Sequence, residues 1–438
     1  MATTLLSTSN NPFWAALRER DFRLLWLGQL TSMIGDHFHG IASAWLVLKL
    51  TGDPLALGTV LALGGIPRAI FTLVGGAITD RYSPRQVMLV TDVVRLAIAV
   101  LVATQIFTNT LEVWMIYIYS LVAGCVGGLF GPASMSIVPH LLPEKDLQAG
   151  NSLSQGSAQL VGFLGPAAAG AFIAAFTNER LGLGMAAAID AFTFVISLAT
   201  LALMRPIKRQ VTATGDGRPT DVWAAIQGGF GYMFNDPGLR LMLIVVAIAN
   251  LSLGGPLLVG IPYLAETRLS EGAAAYGFII AGYAGGNLLG IVLAGLLPAM
   301  SRRLFRILSV MMFAVFGLGI LALGWVTQTG WAVADLFVMG VLNGYLSIIM
   351  ITGLQRNTAS HMLGRLMSFI LFANFALVPL SQVITGAVMR WNIAAMFVLA
   401  GVLLLGLATY LMMPKASDPL LANLVYSDTQ DHAVVTEG

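Results

Sequence analysis

The chain has 438 residues, of which 57% are hydrophobic and 10% charged. Soluble domains carry about 25% charged residues, so an ordinary soluble globular protein is excluded. A formal net charge of +2 says nothing about partners until the charges are placed by loop, and no nucleic-acid partner is expected.

A bilayer core about 30 Å thick needs about 20 apolar residues per helical crossing. Twelve such runs occur, at 22–49, 54–80, 86–107, 112–140, 146–176, 183–204, 238–264, 272–298, 304–326, 331–356, 363–389 and 392–413. Continuous apolar runs of this length also exclude an outer-membrane barrel, whose strands alternate in short segments. The expected fold class is an all-α membrane protein. The segment 1–21 has no charged start, adequate apolar stretch or small-residue cleavage site, so it reads as a cytoplasmic N-terminal segment and not as a secretory signal. Cys125, the lone cysteine, has no partner for an internal disulfide and no companion ligands, and reads as packing. No metal and no cofactor are expected.

Orientation follows from the basic residues. Of 23 Lys and Arg, eighteen fall at one set of helix ends, Lys49, Arg180, Arg268 and Arg390 at the other, and Arg68 lies within the second run. The positive-inside rule then places both termini in the cytoplasm. The one long polar interruption, RPIKRQVTATGDGRPTD at 205–221, separates six runs from six. After it, Val222, Trp223, Ile226, Phe230 and Met233 recur at helical spacing, which predicts a short amphipathic helix on the inner membrane surface. The organisation is therefore a six-helix half at 22–204, a linker at 205–237, a second half at 238–413, and a polar tail at 414–438 expected to be disordered. QAGNSLSQ with Gly170 and LGRLMSFI with Gly386 fall in step at an offset of 216 residues, which points to two pseudo-repeats with a binding site at their interface.

Between the second and third runs stands GGAITDRYSPRQVML, residues 75–89. It resembles the loop signature of the major facilitator superfamily, in which a Gly is followed after three residues by Asp-Arg and a further basic residue. Gly76, Asp80, Arg81 and Arg85 occupy those places; Ser83, Pro84 and Gln86 depart from the usual pattern. Asp92 and Arg95, in DVVRLAIA just beyond, extend the match. The resemblance implies two six-helix halves and a cytoplasmic latch in which Asp80 and Arg81 hold the halves together, with Arg365 on the opposite side. Anchoring alone would explain the arginines but not an acid at a helix C-terminus, where the macrodipole disfavours negative charge.

The fifth run contains GFLGPAAAGAF, similar to the Gly-Pro signature of proton-coupled drug exporters in the same superfamily. Gly162, Gly165, Pro166 and Gly170 fit, and Ala169 replaces the second glycine of the closing pair. Small residues let membrane helices approach closely, and the eighth run offers Gly282, Gly286 and Gly290 at matching spacing, so the two helices are expected to pack together. Generic membrane packing is the alternative. RDFRLLWLGQLTSMIGD, LLPEKDLQAGNSL and LGRLMSF extend the resemblance to the branch that contains the enterobactin exporter and tetracycline and macrolide efflux proteins.

SMIGDHFHGIASAWLVL, residues 32–48, holds Asp36, His37 and His39 inside an apolar run. Asp36 lies about 22 Å from the inner end of its helix and Arg68 about 18 Å from the same face, at 1.5 Å per residue. A charge alone at mid-bilayer costs about 2.5 to 3.5 kcal/mol, so an Asp36–Arg68 pair is expected. A structural pair is one reading; a proton-coupling pair, separated when substrate binds, is the other. His39, three positions on, bonds Asp36 or lines the cavity, whereas His37 points about 100° away and reads as packing. Asp190, also near mid-depth, is a second proton site or a satisfied packing group. Asn250 and Ser252 in the seventh run, with Asn343 and Tyr345 in the tenth, are candidate cavity hydrogen-bonders.

The function expected from these residues and the resemblance is secondary active transport across the inner or plasma membrane. Its form is proton-coupled export of small amphiphilic molecules by a monomer working through alternating access. A passive or importing carrier on the same fold, or a non-transporting sensor or subunit, is the alternative. No GxxxxGK[ST], GxSxG or HExxH occurs, so an enzyme is not expected.

Overall fold

A computed structural model describes residues 12–206, 237–297, 302–357 and 377–413. The amphipathic helix expected at 222–233, Arg365 and the tail lie outside the described residues. The side chains of Gly76, Asp80 and Arg81, the core of the latch motif, lie outside them too.

The described residues form helices and no strand. A short α1 (Pro12–Arg18) leads into α2 (Arg20–Thr51), α3 (Pro54–Arg81), α4 (Pro84–Thr108), α5 (Val113–Ile137), α6 (Leu147–Ala174) and α7 (Glu179–Leu203). Then follow α8 (Pro237–Gly255), α9 (Ile261–Arg268), α10 (Ala273–Leu296), α11 (Arg302–Leu323), α12 (Thr329–Asn357), α13 (Leu377–Met389) and α14 (Ile393–Met412). A π-helical segment, Pro256–Gly260, joins α8 to α9, so these make one interrupted crossing. Ten spans among the described residues are long and apolar enough to cross a bilayer, and α13 is a shorter apolar helix. α2, whose 32 residues include Asp36, His37 and His39, coincides with the first expected run, and α13 with the end of the eleventh, whose earlier residues lie outside the described ones.

Helix ends follow local chemistry. Gly52, in the left-handed region at φ 62°, ends α2 and returns its N–H to the Leu48 carbonyl at 2.7 Å. Asp53 then caps α3 by accepting from the Leu55 N–H at 2.9 Å, with Pro54 in the first turn. The C-terminus of α7 is closed from outside its own chain segment. Arg85 donates to the carbonyls of Leu201 (2.7 Å) and Ala202 (3.0 Å), and Arg20 to that of Leu203 (3.1 Å). Cations at the negative end of a helix satisfy both its orphan carbonyls and its dipole. Arg85, expected in a gate motif, therefore acts here as an interhelical cap.

The contacts divide the chain into two compact units. One comprises Met1–Val211 with Ala265–Ala281; the other comprises Thr212–Leu264 with Gly282–Gly438. The segment 265–281 groups with the first unit because Lys49 reaches Glu266 at 3.5 Å and because Gly170 and Gly277 bring α6 and the start of α10 into backbone contact. In the first unit α2 packs on α7 and α6, α3 on α5, and α4 on α7 and α5. A cluster around Phe22, Leu25, Met88, Ile137 and Leu201 fills the end of this unit at which α2 begins and α7 finishes. In the second unit α11 packs on α14, and α12 on α10 and α11.

Each unit has a glycine seam. A Cβ on Gly124 of α5 would lie 3.0 Å from the Gly64 Cα of α3, and one on Gly128 would lie 2.6 Å from the Arg68 carbonyl. In the other unit Gly340 and Gly344 of α12 stand against the backbone of Tyr283 and Asn287, while Gly286 and Gly290 stand against Phe337 and Val341. Gly124 and Gly128 map to Gly340 and Gly344 at the same offset of 216 residues. Gly286 and Gly290 thus belong to the α10–α12 seam, which corrects the expectation that they face the fifth crossing. The atoms nearest to a Cβ at either position are backbone atoms of α12.

The π segment shows how a broken membrane helix is made whole. Ser381 of α13 donates to the Leu251 carbonyl at 2.6 Å and accepts from the Gly255 N–H at 2.7 Å. A hydroxyl from a neighbouring helix thus bonds the backbone of the turn that precedes the break. Ser381→Ala removes both of these bonds, an expected loss of about 0.5 to 1.5 kcal/mol. Its heating curve, followed by fluorescence-detected size exclusion, should fall below that of the wild type.

Candidate functional site

The polar centre of the first unit is assembled on α2, α3, α4 and α7. Asp36 sits sixteen residues into α2, about 24 Å from its start. It is exposed, and among the described residues its carboxylate makes no hydrogen bond and no ion pair. Arg68 follows Pro67 in α3 and is also exposed. It forms no ion pair with Asp36, so the expected contact pair is not present.

Arg95 was expected at the cytoplasmic end, in the gate motif. In the structure α4 begins at Pro84, so Arg95 lies eleven residues inside, at a depth of about 16 Å. This lowers the inner basic count from eighteen to seventeen and leaves the asymmetry intact. Its guanidinium lies 4.5 Å from the Phe130 ring centroid and 5.8 Å from that of Phe194. Aromatic faces of this kind hold a guanidinium by cation–π attraction. Arg68 and Arg95 converge on Gly127 of α5: a Cβ there would be 3.4 Å from Arg95 Nη2 and 3.7 Å from Arg68 Nε. The signal in the sequence was present, since Pro84 is a natural first residue of a helix.

His39 makes no hydrogen bond or ion pair with Asp36 and pairs with Asp190 of α7 instead. Its Nδ1 lies 3.2 Å from Asp190 Oδ2, and its Nε2 lies 3.2 Å from Ser43 Oγ. Asp190 is buried and its Oδ1 has no partner among the described residues. Gly35 permits this approach of α2 to α7, because a Cβ there would come within 2.8 Å of Asp190 Oδ1. His37 lies against Gly165 of α6, where a Cβ would be 2.6 Å from the imidazole ring. That is the packing role expected of it, and it gives Gly165 its function.

Asp92 is buried between α4 and α7, where Ser197 Oγ donates to its Oδ2 at 2.7 Å. It ties two helices together eight residues into α4 and does not stand at the helix end. In α6, Gly170 and Pro166 face Gly277, whereas a Cβ on Gly162 would meet nothing within 4 Å, so Gly162 is not part of a packing seam. In the second unit Asn250 donates to its own helix at Val246, and Ser252 is buried. Tyr345 packs beside Leu241, Met242, Phe305 and Leu346, which is a core position; Asn343 is half-buried.

An ion cluster at the other end of α2 was not anticipated. Lys49 lies 3.3 Å from Glu179 at the start of α7 and 3.5 Å from Glu266 of α9, and 5.4 Å from the ring of buried Trp45. A cavity of about 210 Å³ opens beside it, lined in part by Lys49, Gln105, Asn109, Glu179 and Arg180. Read as an isolated cation outside the positive-inside pattern, Lys49 gave no hint of two acids far away in sequence.

The family model described as Major Facilitator Superfamily matches residues 25–381. Macrolide efflux protein A of Streptococcus pyogenes is 23% identical over 352 residues, covering 79% of this chain and 84% of that protein. Multidrug efflux pump Tap of Mycobacterium bovis is 24% identical over 378 residues, covering 83% and 85%. Among solved structures, a variant of the nucleoside transporter NupG aligns with a TM-score of 0.68 at 12% identity, over 90% of this chain and 99% of that one. A POT family transporter aligns with a TM-score of 0.68 at 14% identity, over 92% and 97%.

Proposed function

Because the chain belongs to the Major Facilitator Superfamily, and is therefore a multi-pass membrane transporter, we propose that it is a proton-coupled exporter of small amphiphilic molecules. The observation that carries this reading is Asp36, an exposed carboxylate at mid-depth whose side chain has no hydrogen bond or ion pair among the described residues. Charged groups within membrane spans are costly and mark ion or substrate pathways. Two relatives named for efflux, each matching over about four-fifths of this chain, support the direction.

Export follows if a proton and the outgoing molecule exclude each other at Asp36. A proton taken up from outside neutralises the carboxylate and favours inward opening. Substrate arriving from the cytoplasm displaces it, and alternating access carries the two in opposite directions. Arg95, whose guanidinium lies over the Phe130 ring, converges with Arg68 on Gly127 and supplies positive charge to the same site. His39 and Asp190 offer a second place for the proton on the same side of α2. The protein works as a monomer in the cell membrane with both termini in the cytoplasm, as the basic residues at the inner helix ends favour.

The test is transport in everted vesicles with an acidic lumen. One pH unit sustains about tenfold accumulation per proton exchanged, since one unit is worth about 1.4 kcal/mol. Substrate-dependent loss of lumenal acid, read with a pH-sensitive dye, is expected. Equilibration without accumulation would make the protein a passive carrier, and accumulation driven by an alkaline lumen would make it an importer.

A further inference from the structure

We propose that the mid-depth site binds an amphoteric molecule, one bearing both a cationic and an anionic group, with the cation at Asp36 and the anion at Arg68. Both side chains are exposed at nearly the same depth, on adjacent helices, and neither has an ion pair or a side-chain hydrogen bond among the described residues. They lie beyond ion-pair contact, on two helices that pack against each other. Opposite charges in a low-dielectric interior attract strongly, so a pair held apart needs a cause.

The cause lies on α5. Arg68 is drawn back over Gly127, where its Cδ and Nε would lie 3.9 and 3.7 Å from a Cβ at that position, beside the Nη2 of Arg95. Two guanidiniums at one glycine make a place where a carboxylate or phenolate finds several N–H donors, the geometry in which arginine binds anions best. The remaining acids are already committed, Asp190 to His39 and Asp92 to Ser197. They are buried, whereas Asp36 and Arg68 are the accessible pair.

Competition with the proton selects the cationic group, because only a cation takes the proton's place at Asp36. A simple cation there leaves Arg68 and Arg95 without a counter-charge. A molecule that also carries an anionic group, spaced to reach the guanidiniums, offsets one of those two charges while its cationic end still competes with a proton for Asp36. The assignment of the site as substrate-binding rests on the proposed transport function, but the binding itself requires no proton gradient.

Rhodamine B and its ethyl ester share one cationic ring system and differ in a carboxylate that only the first carries. Fluorescence polarisation against protein in lipid nanodiscs, with empty nanodiscs subtracted, should show rhodamine B bound about tenfold more tightly, as expected for a charge-assisted contact. Arg68→Gln should reduce that preference to within about twofold, and Arg68→Lys should retain part of it. Fluorescein, which has no cationic group, should bind weakly to the wild type. Equal affinity of the wild type for the two rhodamines would overturn the proposal, as would an undiminished preference in Arg68→Gln or tighter binding of fluorescein than of rhodamine B. Loss of proton-driven transport with the rhodamine preference intact would instead remove the coupling and leave this site standing.

Discussion

Asp36→Asn is expected to leave a folded, binding-competent protein whose substrate accumulation no longer responds to an imposed pH gradient. Asparagine keeps the size and polarity of the side chain and removes only its ionisation. Asp36 makes no hydrogen bond or ion pair among the described residues, so no partner is stranded, and the stability change should stay within about 0.5 kcal/mol. In everted vesicles with an acidic lumen the wild type should reach up to about tenfold accumulation per pH unit and proton, and the variant none. Exchange of labelled for unlabelled substrate without a gradient should persist, slowed by whatever the ionised carboxylate contributes to binding. That separation assigns the proton to Asp36. If the variant accumulated substrate as the wild type does, the proton would have to travel elsewhere, and the His39–Asp190 pair, 3.2 Å apart, would be the next place to look.

The elements were readable because lipid demands long apolar runs and because proline and glycine punctuate them. The first run, expected at 22–49, is Arg20–Thr51, and the tenth, expected at 331–356, is Thr329–Asn357. The presence of a polar site on the first helix was readable for the same reason: Asp36, His37 and His39 are expensive in hydrocarbon. Its wiring was not. Depth along a helix comes from counting residues, but the direction of a side chain depends on how neighbouring helices are rotated, which no single run encodes. Arg68 shares a depth with Asp36 and yet lies over Gly127, while His39 reaches Asp190, a residue on the sixth crossing. Arg95 was misplaced by a rule about loops applied to a residue eleven positions inside a helix.

The glycines show the same limit. With 48 in the chain, small-residue spacings arise everywhere, and spacing cannot name the facing helix. Gly286 and Gly290 have the spacing expected of partners for Gly170, but their neighbours are on α12. The true partner, Gly277, is one turn nearer the start of α10 than Gly282, the first of that series. What distinguishes a packing glycine is the atom its missing side chain would strike.

That distinction gives two substitutions in one helix opposite outcomes. Gly170→Val should destabilise the protein strongly, and Gly162→Val hardly at all. A Cβ on Gly170 would lie 2.5 Å from the Ala273 carbonyl, 3.0 Å from the Gly277 Cα and 3.2 Å from the Gly277 nitrogen. All three are backbone atoms, which cannot move aside by changing a rotamer, so α6 and α10 must separate. Overpacking costs about 1 to 3 kcal/mol where side chains can adjust, and a rigid contact belongs at or above the upper end. Pro166 makes retreat harder, since its carbonyl stands against Gly277 from the same side. A Cβ on Gly162 meets nothing within 4 Å, and its cost should stay within about 0.5 kcal/mol. Heating each variant in detergent and scoring the surviving monodisperse peak by size exclusion separates the two, and Gly277→Val should behave like Gly170→Val. Matching curves for Gly162→Val and Gly170→Val would mean that the α6–α10 contact does not hold the segment 265–281 in place, and the ion pair from Lys49 to Glu266 would be left to do so alone.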